Sequence, residues 1–351
     1  MHAALHTRLL DLCGIDVPIV QTGMGWVAGP SLVAGSANAG ALGILASATM
    51  TYDEMIVAIA QVKAATNRSF GVNLRADALD AAQRIDHMIA AGVKVASFAQ
   101  APKQDLIKRC KDGGLVVIPS IGAKRHAEKV AAWGADAVLV QGHEAGGHVG
   151  QVATSILLPQ VVDTVDLPVI AAGGYFDGRG LVSALAYGAA GVAMGTRFLL
   201  TADSTVPDVI KQIYLSKAVG DTVVSTRVDG VPHRVLRTEF VDDLEAAGML
   251  TSLPKAALNA LRFRKLTGLA WASMLKEGLA MKKSMDLSWS QMLMAAHTPM
   301  LLKATMVDGN PEAGIMASGQ VVGVIDDLPT CAELVRRIIA EAEATLSRLG
   351  A

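Results

Sequence analysis

Two glycine-containing turns in the sequence could bind a phosphate group. Gly173 and Gly174 follow one buried apolar segment, and Gly195 and Thr196 follow the next. Because glycine carries no side chain, backbone N–H groups can approach phosphate oxygens closely, and a helix that begins after the turn favours negative charge. Tight turns alone would also explain each pair, but the two pairs together predict a phosphate site.

A further glycine-rich segment contains two histidines. Residues 142–150 read GHEAGGHVG and include His143 and His148. A neutral imidazole can exchange a proton near neutral pH, and Gly146 and Gly147 would let the backbone approach a flat ligand. A helix cap or a metal ligand is an alternative role for a histidine here. The spacing does not match H-E-x-x-H, so we expect no bound metal.

The first apolar segment is followed by a third glycine-rich loop, which begins Gly23-Met24-Gly25. The loop matches G-x-G-x-x-G/A, but no ribose-binding acid follows the second apolar segment, so a dinucleotide site is not favoured. A glycine-rich loop would serve equally well to let the backbone contact a flat ring system such as an isoalloxazine. Polar side chains near the ends of later apolar segments could also contact such a ring, although surface or capping roles are alternatives: Asn73, Lys124 and Gln141.

Eight short apolar segments precede these candidate residues at intervals of roughly 25 residues. They are residues 18–21, 42–45, 70–73, 93–98, 115–119, 137–141, 168–172 and 191–194. Continuous apolar runs are typical of parallel strands buried on both faces, and helical patterns lie between them. This alternation predicts an α/β fold, a closed (β/α)₈ TIM barrel, whose active-site loops follow the carboxyl ends of the strands.

The chain is longer than a barrel requires. A (β/α)₈ barrel needs about 250 residues, whereas this chain has 351, and the regular alternation stops near residue 205. Methionine and basic residues, including Arg264 and Lys265, then occur in helical patterns. The sequence therefore predicts a barrel formed by residues 1–205 and 305–351, with a mainly helical cap or substrate domain in residues 206–304.

Composition limits the classes of partner. The formal net charge is −1 and 52% of residues are hydrophobic, so we expect neither a nucleic-acid nor a membrane partner. No secretory signal pattern and no apolar run long enough to span a bilayer is apparent. The three cysteines are widely separated, which is typical of reduced thiols. We therefore expect a cytoplasmic protein that acts on a small molecule, with a homo-oligomer as a candidate assembly.

Five segments together resemble the nitronate monooxygenase (2-nitropropane dioxygenase) family, which includes the FMN-dependent enoyl-ACP reductases. They are residues 18–25, 70–73, 144–148, 171–174 and 194–198. The resemblance implies FMN as cofactor, His148 as the active-site histidine and a helical cap inserted before the last helix. Residues 22–29, 44–50, 226–238 and 289–310 also resemble actinobacterial flavin oxidoreductases of steroid-ring degradation, which act on coenzyme A thioesters.

Three hypotheses for function follow. The first is an FMN-dependent oxidoreductase that moves hydride to or from a ring-bearing or unsaturated acyl-CoA, with His148 handling the proton and NADH or NADPH as a candidate electron partner. The second is a nitronate monooxygenase that oxidises alkyl nitronates with O₂. Val149 follows the histidine where many nitronate monooxygenases have arginine, which weakens the second hypothesis. The third is a non-catalytic barrel that binds a phosphorylated ligand.

Overall fold

Eight parallel strands form a closed barrel in the order in which they occur along the chain. The computed structural model describes residues 1–246 and 298–350. The barrel strands are β1 (Ile19–Gln21), β2 (Leu42–Ala46), β3 (Phe70–Leu74), β4 (Val95–Phe98), β5 (Val116–Ile121), β6 (Val138–Gln141), β8 (Val169–Ala172) and β9 (Gly191–Met194). Every predicted apolar segment overlaps one of them. The predicted (β/α)₈ barrel is therefore confirmed.

Helices surround the barrel and follow its strands. Those in the first part of the chain are α1 (Arg8–Cys13), α2 (Pro30–Asn38), α3 (Tyr52–Ala65), α4 (Ala81–Ala90), α5 (Gln104–Asp112), α6 (Lys124–Ala132), α7 (Thr154–Val162), α8 (Gly178–Ala186) and α9 (Thr196–Leu199). The last described helix is α13 (Cys331–Leu349), which packs against α8 and α2. The Thr330 side chain accepts a hydrogen bond from the Glu333 N–H and so caps α13 at its start.

The side chains of each barrel strand alternate between two apolar layers. Val20, Ile44 and Ile170 belong to the cluster inside the barrel, whereas Ile19 belongs to the layer between barrel and helices. Helix α1 packs against the inner cluster, and its Leu9 lies beside Gly191 at the start of β9. Helix α1 therefore closes the amino-terminal end of the barrel and leaves the carboxyl-terminal end for a site.

Part of the predicted insertion is described, and it contains strands as well as helices. Helix α10 (Asp208–Leu215) is followed by β10 (Thr222–Ser225), β11 (His233–Leu236) and α11 (Glu239–Ala246). After residues 247–297 come α12 (Thr298–Met306) and two short 3₁₀ helices (Pro311–Ala313 and Gln320–Val324), which precede α13. Strands β10 and β11 were not predicted. Strand β11 also pairs with the short strand β7 (Gly147–His148).

Residues 247–297 lie outside the described residues, and they include Arg264 and Lys265. The division into a barrel and a mainly helical cap therefore stays a prediction. Among the helices that the structure describes, none is both long and apolar enough to span a membrane.

Candidate active site

A cavity of about 470 Å³ lies at the carboxyl-terminal end of the barrel. Residues near the carboxyl ends of the strands line it, among them Asn73, the second-to-last residue of β3, and Ala172, the last residue of β8. The segment after β9 contributes Asp229, His233 and Leu302 to the same cavity. Because active sites of (β/α)₈ barrels occur at this end of the fold, the cavity is the candidate active site.

All of the predicted site residues except Lys124 line this cavity. They are Gly23, Met24, Gly25, Asn73, Gln141, Gly146, Gly147, His148, Gly173, Gly174, Gly195 and Thr196. Lys124 instead begins α6, and its Nζ lies 3.7 Å from Oε1 of Glu128, one helical turn away, on an exposed surface. The structure thus gives no support to the flavin contact predicted for Lys124, because the chain turns outward after β5 before this residue.

At the glycines of the two predicted phosphate-binding turns, the cavity is lined by backbone atoms. Gly173 and Gly174 have φ angles of +98° and +88°, a region that side chains rarely adopt. A Cβ atom added at Gly173 would lie 3.1 Å from the Ala145 nitrogen, and one added at Gly195 would lie 3.3 Å from Oγ1 of Thr22. Glycine at these positions keeps the cavity wall free of side chains, so the site fits a phosphate that contacts the backbone.

Hydrogen bonds hold the histidine-containing loop across the cavity. The Glu144 carboxylate accepts hydrogen bonds from the backbone N–H of Thr154 at 3.0 Å and from its hydroxyl at 2.8 Å, which ties the loop to the start of α7. At the other end, Nε2 of Gln141 donates to the carbonyl oxygen of His148 at 2.6 Å. These contacts fix the backbone that carries His148.

The His148 imidazole contacts a buried carboxylate. Nε2 of His148 lies 2.6 Å from Oδ2 of Asp229, and Nδ1 of His233 lies 3.1 Å from the same oxygen. The centroids of the two imidazole rings are 4.7 Å apart. Asp229 and His233 are buried, whereas the side chain of His148 is half-exposed. Among the described residues, none forms a hydrogen bond with Nδ1 of His148.

The surroundings set the charges of this cluster. Burial opposes ionisation of Asp229, but hydrogen bonds from His148 and His233 outweigh it and hold the pKa of Asp229 below its usual value. Burial lowers the pKa of His233. At neutral pH, the cluster therefore contains an ionised Asp229 and a neutral His233.

Asp229 and His233 were not predicted as site residues. They lie in residues 226–238, the TRVDGVPHRVLRT segment, which follows no barrel strand directly. Two signals in the sequence could have indicated them: the D-x-x-x-H spacing, and the position of both residues in a segment that carries the resemblance to flavin oxidoreductases. The ligand atoms of His148, Asp229 and His233 lie within 4.8 Å of one another, a separation that a metal ion could bridge. The absence of a metal therefore stays a prediction.

Comparisons with known proteins place the chain in a family. The nitronate monooxygenase family profile matches residues 6–84 and 79–341. A (3aS,4S,5R,7aS)-5-hydroxy-7a-methyl-1-oxo-octahydro-1H-indene-4-carboxyl-CoA dehydrogenase of Rhodococcus jostii RHA1 is 62% identical over 349 residues, which is 99% of each chain. The protein of the same name from Mycobacterium tuberculosis is 62% identical over 96% of each chain. A probable nitronate monooxygenase of Staphylococcus saprophyticus is 31% identical over 68% of this chain and 80% of its own.

Solved structures show the same relationship over the whole fold. FabK from Thermotoga maritima superposes with a TM-score of 0.79 at 32% identity and covers 98% of both chains. Nitroalkane oxidase from Streptomyces ansochromogenes gives a TM-score of 0.74 at 26% identity, with 97% of this chain and 99% of its own covered. Because the family profile and the relatives both span most of the chain, this protein belongs to the nitronate monooxygenase family of flavin-dependent oxidoreductases.

Proposed function

We propose that this protein is an FMN-dependent oxidoreductase that transfers hydride to or from a ring-bearing or unsaturated acyl-CoA. The observation that carries the proposal is that the glycine turns and His148 line one cavity, which brings backbone suited to a phosphate together with a group that can exchange a proton. The substrate class is supported by the Rhodococcus and Mycobacterium relatives, both of which are named as dehydrogenases of a hydroxylated bicyclic acyl-CoA.

The cavity wall fits FMN. Gly173, Gly174, Gly195 and Thr196 would hold the phosphate, and the backbone from Gly23 to Gly25 would lie along the ring. When bound, the flavin supplies hydride transfer at N5. The single phosphate site and the absence of a ribose-binding acid after β2 favour FMN over FAD.

The chain itself supplies the proton exchange. His148 lies on the glycine-rich loop at the cavity, and its Nδ1 has no hydrogen-bond partner within the described residues. Nδ1 is therefore the atom that takes a proton from a substrate hydroxyl during oxidation and returns it during reduction. A transferred hydride and a transferred proton together account for the oxidation of an alcohol to a ketone.

The segment after β9 supplies an apolar wall. Val231, Leu302 and Met306 line the cavity, and apolar walls with a few polar groups are typical of pockets for small molecules. Such a wall suits a fused-ring substrate better than it suits a small nitronate. A role for Arg264 and Lys265 in binding the coenzyme A phosphates stays a prediction, since both lie outside the described residues.

The cofactor released from the purified protein by acid should be FMN. Chromatography against FMN and FAD standards checks this expectation. About one FMN per chain is expected because, among the described residues, one pair of glycine turns follows β8 and β9, where a phosphate would bind. Release of FAD, or a colourless protein that binds neither flavin when they are added, would contradict the proposed cofactor.

Substrate class can be tested on the same protein under anaerobic conditions. A β-hydroxyacyl-CoA that carries a fused ring should bleach the oxidised flavin, and the corresponding ketone should reoxidise flavin that NADH or NADPH has reduced. The free acid without coenzyme A is the matched control, and it should react much more slowly. Oxygen consumption with propionate 3-nitronate tests the alternative function, which the Staphylococcus relative favours. Turnover of the nitronate alone would replace the proposed function with that alternative.

A further inference from the structure

We propose that Asp229 and His233 act as positioning residues for His148, with Asp229 fixing the imidazole tautomer that leaves Nδ1 free to exchange the substrate proton. The inference rests on the proposed function in one respect, namely that Nδ1 exchanges a proton with the substrate. The hydrogen bonds that carry it belong to the protein alone, so it can be tested without a substrate.

The tautomers follow from hydrogen-bonding chemistry. An ionised carboxylate only accepts hydrogen bonds. Oδ2 of Asp229 faces Nε2 of His148 at 2.6 Å and Nδ1 of His233 at 3.1 Å, so both nitrogens must carry a hydrogen. A neutral imidazole has one N–H group. When His148 is neutral, its Nδ1 therefore holds a lone pair and can act as a base.

The charge of Asp229 stabilises the proton once His148 has taken it. Among the described residues, no lysine or arginine forms an ion pair with Asp229. Within residues 1–246 and 298–350, its other oxygen, Oδ1, accepts one long hydrogen bond, from the Val231 N–H at 3.3 Å. The protonated imidazole of His148 would thus lie against a buried carboxylate, an arrangement that stabilises the positive charge that His148 gains when it takes the substrate proton.

His233 holds the carboxylate in place. Burial keeps His233 neutral at working pH, so it donates to Asp229 without competing for the transferred proton. Strand pairing brings it there, because His233 is the direct partner of His148 in the β11–β7 pair. The Val149 N–H also donates to the carbonyl oxygen of Pro232 at 3.1 Å. The segment inserted after β9 therefore contacts the glycine-rich loop that carries His148, and it also lines the cavity.

The same three side chains could instead bind a metal ion. Tetrahedral zinc with bonds of about 2.0–2.1 Å holds its ligand atoms roughly 3.3 Å apart. The separation of 2.6 Å between Nε2 of His148 and Oδ2 of Asp229 is shorter than that and matches a charge-assisted hydrogen bond. The geometry points to a hydrogen-bonded cluster.

The first experiment measures the tautomer of His148 directly. Nitrogen NMR of the flavin-loaded protein, labelled with ¹⁵N-histidine and assigned by comparison with His148→Ala, distinguishes protonated from unprotonated ring nitrogens. At alkaline pH we expect His148 to carry its hydrogen on Nε2. A hydrogen on Nδ1 would overturn the proposal, and so would a stoichiometric metal whose removal changes the signals of His148 and His233.

The second experiment changes the carboxylate. Asp229→Asn keeps the size of the side chain but removes its charge, so kcat should fall by about 10²–10⁴-fold with flavin content unchanged and KM little affected. Asp242→Asn is the matched control, since Asp242 is an exposed carboxylate of the same segment, paired with Arg237, and its kcat should equal that of the wild type. A loss smaller than about tenfold in a folded Asp229→Asn protein would overturn the role of Asp229.

The third variant isolates His233. His233→Phe keeps a ring of similar size and removes the N–H that faces Asp229, so kcat should fall, but less than in Asp229→Asn. Unchanged kcat would exclude His233 from the positioning pair. If no acyl-CoA is turned over by the wild type, the proposed function fails, whereas the tautomer measurement still decides the present inference.

Discussion

Gly174→Asp is expected to give a folded protein that does not retain flavin. Gly174 lines the cavity, and the nearest atom to a Cβ added there is Cβ of Glu144 at 3.8 Å, so the new side chain has room. Its carboxylate would stand where the flavin phosphate is expected and beside the Glu144 carboxylate. Like charges repel strongly in a partly buried site, so the flavin should be lost while the barrel persists.

The control for this variant is Gly134→Asp. Gly134 has a similar φ angle of +92°, and a Cβ added there would meet no atom within 4 Å. It lies in the exposed turn between α6 and β6, at the opposite end of the barrel from the cavity. The two variants share backbone strain and added charge, so flavin absorbance and circular dichroism compare the effect of position alone. Normal flavin occupancy in a folded Gly174→Asp protein would show that the phosphate binds elsewhere.

The barrel and most of the cavity wall could be predicted because the relevant signals are local in sequence. Each barrel strand is buried on both faces, so it appears as a short apolar run regardless of what the rest of the chain does. In a parallel barrel the carboxyl ends of all strands meet at one end. Residues such as Gly173 and Gly195, which follow different strands, are therefore brought together by topology alone.

The Asp229–His233 pair could not be predicted from local signals. Its position depends on the pairing of β11 with β7, a contact between segments far apart in the chain. The two strands are short, and β7 has only two residues. Strands of this length are too short to show the alternation of polar and apolar residues that would indicate them in the sequence. Lys124 is the opposite case: a basic residue near a strand end resembles a ligand contact, but the chain direction after β5 places it away from the cavity wall.

His148→Ala is expected to keep the flavin and to lose most turnover. Its side chain is half-exposed at the cavity, and the backbone of the loop stays tied to Gln141 through the carbonyl oxygen of residue 148, so the substitution should not disturb the barrel core. A positioned acid–base group typically contributes about 10²–10⁴-fold to the rate, or about 2.7–5.4 kcal/mol of transition-state stabilisation. Steady-state kinetics with the acyl-CoA substrate should show this loss in kcat.

His143→Ala is the control for His148→Ala, because both histidines lie on the same loop but only His148 lines the cavity. The ring of His143 faces the Gly150 carbonyl oxygen at 2.8 Å instead, so its loss should leave kcat within a few-fold of the wild type. Added imidazole should restore part of the turnover of His148→Ala, since it can enter the space that the side chain leaves and accept the proton. A fall of less than about tenfold in His148→Ala, with flavin content normal, would mean that His148 does not exchange the substrate proton and that another group at the cavity does.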